Sequence, residues 1–351
     1  MYLIRILLSP ISFIYYALTR FRNHLYNIGY RRSFKFDTLV INVGNLTVGG
    51  TGKTPMIEYL IRLLRKDVRL ATLSRGYGRK TKGFRIANDH DSARTIGDEP
   101  YQIYLKFKHE ICVSVGEERA LAIPEILFQN KETQVILMDD AYQHRSVVPD
   151  FNILLSDYNR PFYNDWVMPS GRLREPRRGA GRADMIIITK CPEDLTQYDM
   201  DDIIKKIGPY KRKDSEVFFT GTKYSQPKKI FEDAKHIFSD NVILFSGIAR
   251  DKPLVDYVQE NFNLITTLTF SDHHNYSKAD IVKIRNRFEE IQQPERSILT
   301  TEKDMVKLLN MDLRSQLIDL PLYYLPIESY FLKNGHVFDN KIKKIVKQSL
   351  N

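Results

Sequence analysis

The chain has 351 residues, of which 42% are hydrophobic and 27% are charged, a balance typical of a folded soluble protein. Its length favours two domains, and its two cysteines form neither a CxxC pair nor a zinc-ligand spacing, which indicates a reducing compartment and no structural zinc. The formal net charge of +10 leaves three classes of partner open: nucleic acid, a membrane surface or an anionic substrate.

The first 36 residues combine six basic residues with no acidic one. From position 11 onward, large apolar residues recur at steps of three and four, which places them on one face of a helix: Ile11, Ile14, Leu18, Phe21, Leu25 and Ile28. The apolar runs are interrupted by Arg5 and Pro10 and are too short to span a membrane, and no signal-peptide cleavage site follows them.

A helix of this kind is typical of one that lies in a membrane interface. A helix that caps the domain core is the alternative, but such a helix has no need of six uncompensated cations. We therefore predict that residues 1–36 form a membrane-associating helical segment.

The next feature is a glycine-rich loop between a strand-like run, 38–43, and a helix-like run, 55–64. This is the context of a phosphate-binding P-loop, in which backbone N–H groups and the helix N-terminus bind phosphate oxygens; an ordinary glycine-rich turn is the alternative. Lys53 is expected to contact the outer phosphates and the Thr54 hydroxyl to ligate Mg²⁺. Thr47 stands where the motif usually has a glycine. The predicted nucleotide site comprises Thr47, Val48, Gly49, Gly50, Thr51, Gly52, Lys53 and Thr54.

Downstream of this loop, apolar strand-like runs alternate with helical stretches, which predicts a parallel α/β sheet. The runs are 68–74, 111–115, 135–138, 151–155 and 185–189. Ligand groups gather at the carboxyl ends of such strands, and Asp98, Arg119 and Asp139 fall at or just after these ends. Pro192 stands where a guanine-binding motif requires an aspartate, which argues against a guanine site.

The last third of the chain contains a second set of strand-like runs, at 242–246, 264–270 and 297–301. We predict a P-loop domain over 37–220, a second, smaller α/β domain over 221–325, and a C-terminal segment over 326–351 that packs back on the first domain. The segment 322–325 is predicted to cross between the domains and to pair with 218–224. The predicted fold class is α/β: a P-loop NTPase-like three-layer α/β/α domain joined to the second domain by a two-stranded hinge.

Three acidic positions could carry chemistry beside the P-loop. Asp139 and Asp140 close an apolar strand, where P-loop enzymes keep a carboxylate for Mg²⁺; a turn or helix-capping role is the alternative for such a pair. Asp98 is the best candidate to accept the proton of an attacking hydroxyl group. A third cluster, Asp272-His273-His274, lies in the second domain, where a structural role competes with a catalytic one.

Together these motifs resemble the tetraacyldisaccharide 4′-kinase family, the lipid A 4′-kinases. The resemblance extends in family order from residue 44 to residue 304. Its segments are 44–55, 74–78, 97–100, 139–145, 171–176, 246–249, 272–274 and 300–304. The basic, apolar N-terminus is similar too, and the threonine at position 47 is typical of this family.

The resemblance implies an ATP- and Mg²⁺-dependent kinase. Such an enzyme transfers the γ-phosphate of ATP to the 4′-hydroxyl of a tetraacylated glucosamine disaccharide 1-phosphate, giving lipid IVA. The family fold has two α/β/α domains joined by a two-stranded hinge. Its N-terminal helix associates with the membrane, which implies a peripheral enzyme on anionic lipid at the cytoplasmic face of the bacterial inner membrane.

Specific residues carry the resemblance to the family's active site. Asp98 matches its catalytic carboxylate, His273 matches the histidine that assists it, and Asp139 and Asp140 match its acidic metal-site pair. Glu99, Arg119 and Arg172 are further candidates for contacts to substrate or nucleotide phosphates.

A protein of another class could share the P-loop and the basic charge: one that binds nucleic acid or a protein partner and uses ATP as a switch. The sequence shows no RNA-binding signature, and much of its excess positive charge is pooled with apolar residues at the N-terminus rather than along a groove. We therefore predict no nucleic-acid partner.

Overall fold

The computed structural model describes residues 2–272, 274–309 and 311–350. Its helices are α1 (Tyr2–Asn27), α2 (Lys53–Leu64), α3 (Ala93–Ile96), α4 (Asp98–Phe107), α5 (Arg119–Gln129), α6 (Gln197–Ile207), α7 (Lys252–Asn261), α8 (Lys278–Glu290), α9 (Glu302–Leu308), α10 (Met311–Arg314) and α11 (Gly335–Leu350). Its strands are β1 (Leu39–Asn45), β2 (Leu70–Ser74), β3 (Arg85–Ile86), β4 (Cys112–Val115), β5 (Val135–Asp139), β6 (Phe151–Asp157), β7 (Met185–Thr189), β8 (Glu216–Tyr224), β9 (Lys228–Lys229), β10 (Asn241–Ser246), β11 (Asn263–Thr269), β12 (Ser297–Thr301), β13 (Leu322–Leu325) and β14 (Ile327–Phe331). Two 3-10 helices cover Phe162–Asn164 and Arg177–Arg182.

The larger sheet has the strand order β14-β8-β7-β6-β1-β5-β2-β4-β3 and is parallel except at its two edge strands, β3 and β14. Its central strands are apolar and buried along their length because helices cover both faces. Helices α2, α4 and α11 pack on one face, and α5 and α6 pack on the other. The predicted three-layer α/β/α domain is thereby confirmed.

The smaller sheet has the order β11-β10-β12-β13-β9. Strands β10 to β13 pair in parallel, and β9 is the antiparallel edge strand. Helix α7 packs on one face of this sheet, while α8 and α9 pack on the other. This sheet is the core of the second α/β domain.

The strand pairing between the domains differs from the prediction. Strand β13, predicted to pair with 218–224, instead pairs with β12 and fills the second core. The partner of β8 is the next strand, β14, with Tyr224 opposite Ile327 in an antiparallel register. Strand β8 runs through the predicted boundary at 220, so the chain leaves the first sheet after Tyr224. After the return crossing, α11 packs Phe338 into the core of the first domain.

Helix α1 occupies Tyr2–Asn27 of the predicted 1–36 helical segment and includes Pro10. A proline in a helix cannot donate to the carbonyl four residues earlier, and here the Ser9 hydroxyl donates to the Ile6 carbonyl, at 2.7 Å. Within the described part of the chain, every helix is too short or too polar to cross a bilayer.

The two faces of α1 are arranged with the polar side inward. Ser12 Oγ donates to Ser170 Oγ at 2.7 Å, the Tyr15 hydroxyl donates to the Arg174 carbonyl at 2.8 Å, and Asn23 donates to Glu175 at 2.9 Å. The apolar stripe faces outward: Ile11, Ile14, Leu18, Phe21 and Ile28 are each at least half exposed. Helix α1 therefore does not use its apolar face to cap the core.

A buried ionic cluster joins the two domains where α4 and α9 pack together. Lys106 Nζ lies 2.7 Å from a Glu58 carboxylate oxygen and 2.6 Å from a Glu302 carboxylate oxygen, and Gln102 donates to both carboxylates. Burial, together with repulsion from Glu58, raises the pKa of Glu302 to about 7. Two buried carboxylates thus share one lysine.

This raised pKa predicts a pH-dependent stability. The folded state holds the Glu302 proton more tightly than the unfolded state, so the free energy of unfolding should fall as the pH rises from about 4.5 to about 7. Glu302→Gln removes this loss, so relative to the unmodified protein it should gain about 1 kcal/mol between about pH 6 and about pH 8. Urea unfolding at both pH values measures the difference, with Glu260→Gln on the exposed side of α7 as the control. An equal effect of Glu302→Gln at both pH values would contradict the prediction.

Candidate active site

The glycine-rich loop joins the end of β1 to the start of α2. Gly52 precedes the helix with φ 79°, a left-handed conformation that disfavours any residue with a Cβ. Lys53 and Thr54 then form the first turn, where the backbone N–H groups have no partner in the preceding turn. The loop, the helix N-terminus and the lysine thus combine in the geometry of a phosphate site.

Side chains from the neighbouring strands hold the loop in place. Asn45 donates to the Thr51 hydroxyl at 2.8 Å, and the Thr189 hydroxyl donates to the Thr51 carbonyl at 2.9 Å. Lys190 Nζ lies 2.5 Å from the Gly50 carbonyl. These contacts preorganise the loop.

The first residues of the predicted nucleotide site pair with the segment 172–174. Thr47 forms a β-bridge with Leu173, and the Val48 N–H donates to the Arg172 carbonyl at 2.9 Å. Because this N–H is engaged within the protein, we expect Val48 to shape the loop rather than to bind phosphate.

Asp139 and Asp140 lie beside the loop because β5 pairs with β1, with Asp139 opposite Val43. Asp139 is 2% exposed, and its Oδ1 accepts no hydrogen bond from the described residues. Burial, together with the charge of Glu99, raises the pKa of Asp139 to about 7. An unpaired carboxylate oxygen of this kind fits a site for a cation.

Asp140 lies between two cations. Its Oδ1 is 3.6 Å from Lys53 Nζ, and both of its carboxylate oxygens accept from Arg174 Nη1, at 2.9 and 3.0 Å. Burial opposes ionisation, but Lys53 and Arg174 keep the pKa of Asp140 below its ordinary value. The predicted Arg172 is exposed, and Arg174 is the arginine of this segment that reaches the acidic pair.

Arg119 occupies a different position from that expected of a substrate contact. It is 0% exposed, and its guanidinium donates to the carbonyls of Gly116, Glu117 and Asp139. Burial lowers the pKa of Arg119 to about 10. In this arrangement Arg119 supports the end of β5 and does not reach a ligand directly.

Asp98 opens α4 after Gly97, which has φ 96°. A Cβ on Gly97 would lie 3.0 Å from the Tyr77 carbonyl, so the 74–78 loop packs directly against this turn. The neighbouring Glu99 is close enough to raise the pKa of Asp139. Asp98 and Glu99 thus lie on the same side of the molecule as the acidic pair and the P-loop.

His273 lies outside the described residues, and its neighbour His274 belongs to the loop between β11 and α8. A Cβ on Gly247 would lie 3.2 Å from His274 Cβ and 3.1 Å from Asp304 Oδ1, so this loop and α9 leave no room for a side chain there. Lys307 Nζ is 3.7 Å from Asp304 Oδ1 and 3.7 Å from Asp98 Oδ2. His274 and the start of α4 therefore both lie close to α9, which belongs to the second domain.

The donors at this site are oxygens. Thr54, Asp139 and Asp140 offer the hard ligands that Mg²⁺ prefers. Among the described residues, no group of three or more His, Cys, Asp or Glu side chains could by itself hold a metal ion. A metal here would need further oxygens from a ligand.

Comparisons with known proteins agree on one family. A sequence model described as tetraacyldisaccharide-1-P 4′-kinase (LpxK) matches residues 4–347. The chain is 43% identical to a tetraacyldisaccharide 4′-kinase of Flavobacterium johnsoniae, over 100% of this chain and 99% of that protein. It is 38% identical to the protein of the same name from Bacteroides thetaiotaomicron, over 93% of this chain and 89% of the other.

A solved structure gives the same result. The fold matches LpxK from Aquifex aeolicus, crystallised in complex with ATP, with a TM-score of 0.73 and 28% identity. The match covers 98% of this chain and 99% of that chain.

Proposed function

This chain belongs to the tetraacyldisaccharide-1-P 4′-kinase family, and we infer that it is an ATP-dependent kinase of lipid A biosynthesis. It transfers the γ-phosphate of ATP to the 4′-hydroxyl of a tetraacylated glucosamine disaccharide 1-phosphate, and the product is lipid IVA. The observation that carries this function is the family match over residues 4–347, which includes the P-loop, the acidic pair and Asp98.

The P-loop is the nucleotide site in this proposal. Residues 49–54 surround the phosphates, and Lys53 contacts the outer ones. Thr54, Asp139 and Asp140 would hold Mg²⁺; the unpaired Oδ1 of Asp139 and the oxygen-only donor set support this assignment. A metal ion bound there would supply positive charge beside the phosphates. Arg174 and Lys53 hold Asp140 ionised beside it.

Asp98 acts on the acceptor in this proposal. Its carboxylate accepts the proton of the 4′-hydroxyl as the oxygen attacks the γ-phosphorus, and the bond from that phosphorus to the bridging oxygen breaks to release ADP. His273 assists from the second domain. The carboxylate of Glu99, next to Asp98 in the chain, is close enough to Asp139 to raise its pKa. The acceptor sugar would lie in the cleft between the domains, where closure excludes water and limits ATP hydrolysis.

Helix α1 binds the membrane in this proposal. Its exposed apolar stripe would enter the interface of the cytoplasmic leaflet of the inner membrane, with basic residues beside anionic headgroups. Its polar face contacts the segment that contains Arg174. The lipid surface and the acidic pair are thus linked through one segment.

The deciding experiment is a transfer assay with labelled ATP and the purified disaccharide 1-phosphate lipid in mixed micelles. The lipid should gain the label at its 4′ position. Nucleic-acid retention without any lipid phosphorylation would favour the rival ATP-switch protein.

A substitution in the stripe tests the membrane role. Ile11→Asn/Leu18→Asn/Phe21→Asn removes three exposed apolar side chains without touching the polar attachment of α1. Because each buried apolar side chain contributes about 1.5–3 kcal/mol, binding to anionic vesicles should fall by about 100-fold or more. Vesicle flotation measures the loss, and activity on detergent-dispersed lipid should fall much less.

The matched control for this variant is Leu121→Asn/Phe128→Asn, which removes two exposed apolar residues from α5. It should float like the unmodified protein. Unchanged flotation of the α1 variant would refute the assignment.

A further inference from the structure

Helices α4 and α9 lie side by side across the domain boundary, and ionic contacts join them at both ends. The end of α4 meets the start of α9, where Lys106 Nζ is 2.6 Å from a Glu302 carboxylate oxygen. The start of α4 meets the end of α9, where Lys307 Nζ is 3.7 Å from Asp98 Oδ2. The helices are therefore antiparallel. With Lys106 beside Glu302, this packing places Lys307 of the second domain opposite Asp98.

Lys307 is unusual among the lysines of the described chain because it is almost fully buried. Its side chain is 4% exposed, and its Nζ makes no hydrogen bond to a described residue. A buried ammonium is strongly destabilising unless other groups compensate it, so an unbonded one calls for an explanation. Among the described residues, the carboxylates that form ion pairs with it are Asp98 Oδ2 and Asp304 Oδ1, each at 3.7 Å.

Asp304 is held by other partners. One of its carboxylate oxygens accepts from the Gly247 N–H at 2.9 Å and from the Thr301 hydroxyl at 2.7 Å. Asp304 is 0% exposed, and its other oxygen accepts no hydrogen bond from a described residue. Asp304 is thus a fixed anion that holds Lys307 on the side of α9 that faces Asp98.

We propose that Lys307 is a positioning residue for Asp98, supplied by the second domain. Its cation keeps the Asp98 carboxylate ionised and oriented when the acceptor hydroxyl and the triphosphate bring further negative charge into the cleft. This inference rests on the proposed role of Asp98 as the base. Under this proposal α9 supports the reaction through Lys307, in addition to packing in the core of the second domain.

The competing explanation is purely structural: Lys307 neutralises Asp304 and nothing more. The two explanations differ in what happens when both charges are removed together. If Lys307 serves only Asp304, the neutral pair in Lys307→Met/Asp304→Asn should restore activity along with stability. If Lys307 serves Asp98, stability should return while turnover stays low.

The experiment compares the unmodified full-length enzyme with Lys307→Met and Lys307→Met/Asp304→Asn. Turnover, the KM for the lipid, the Kd for ATP and the melting temperature are measured for each. We expect kcat to fall by about 10- to 100-fold in both variants, by analogy with groups that orient other catalytic ligands. ATP binding should stay within about twofold, because the P-loop and Lys53 hold the nucleotide. Lys278→Met, on the exposed start of α8, is the control and should behave as unmodified.

The same substitutions in an Asp98→Asn background complete the test. There Lys307→Met/Asp304→Asn should cost less than about a further threefold, because groups that act as one unit lose their effect together. Restored kcat in Lys307→Met/Asp304→Asn, or an equal loss with and without Asp98, would overturn the proposal. Full activity of Asp98→Asn alone would instead overturn the assignment of Asp98 as the base.

Discussion

Replacing Lys53 with alanine is expected to lower the kcat/KM for phosphate transfer by about 10³-fold, the loss seen when a preorganised group that stabilises transition-state charge is removed. Lys53 begins α2 directly after Gly52, and its Nζ lies 3.6 Å from Asp140 Oδ1. No other lysine of the P-loop segment can replace it, because residues 47–54 contain only this one. The measurement is the initial rate with saturating lipid over a range of ATP concentrations.

The fold should survive this change, because Asp140 keeps its contacts with Arg174. Lys66→Ala, an exposed position just after α2, is the matched control and should leave the rate unchanged. Near-normal turnover in a folded Lys53→Ala protein would refute the P-loop assignment. Loss of activity together with a collapse of the melting transition would mean that Lys53 has a structural role instead.

Replacing Asp98 with asparagine is expected to lower kcat by roughly 10²- to 10⁴-fold, the usual contribution of a general base. Asparagine keeps the size of the side chain at the start of α4 but cannot accept the hydroxyl proton. The Kd for ATP should change little, since the contacts of the P-loop come from other elements. Isothermal titration with ATP and single-turnover transfer to the lipid measure the two effects separately.

His273→Ala tests whether the second domain takes part in the same step. It should cost less than Asp98→Asn, and the double variant should be little worse than Asp98→Asn alone, because residues that act together show non-additive losses. Strictly additive losses of kcat in the double variant would show that Asp98 and His273 act independently. Weakened ATP binding in Asp98→Asn would indicate that Asp98 contacts the nucleotide rather than the acceptor hydroxyl.

The sequence is sufficient to predict those parts of the site that depend on neighbouring residues. A strand, a glycine-rich loop and Lys53-Thr54 lie within one continuous stretch, and parallel pairing of β1 with β5 then brings Asp139 beside them. The large sheet is predictable for the same reason, because its buried strands are continuous apolar runs.

What the sequence does not predict depends on contacts between distant segments. Strands β13 and β14 are separated only by Pro326, and the tertiary structure decides which of them pairs with β8. Arg172 and Arg174 belong to one motif, and the pairing of this segment with residues 46–48 places Arg174 beside Asp140. Lys307 lies outside every motif, and only the packing of α9 against α4 brings it near Asp98.

The sequence also leaves open which face of helix α1 points toward the protein. Its apolar stripe follows from the sequence, but a stripe does not say whether it faces the protein or the solvent. The answer lies in Ser12, Tyr15 and Asn23, which recur on the opposite face and find partners in 170–175. A polar face with partners inside the protein, together with an exposed apolar face, distinguishes α1 from a core helix.

The pairing of β8 with β14 has a consequence for the history and the engineering of the chain. The chain leaves the first domain after Tyr224 and returns to it at Pro326. The Ser225 N–H donates to the Pro326 carbonyl at 2.9 Å. Topologically, then, the second domain is an insertion into a β-hairpin of the first. A tight two-residue turn could close that hairpin without altering the strand order of the larger sheet. The shortened chain would keep the P-loop, the acidic pair and Asp98, would lose Lys307 and His273, and would expose the apolar surface of α4 that now packs on α9. An ancestor with the P-loop domain and without the second domain is therefore a physically reasonable starting point for this architecture.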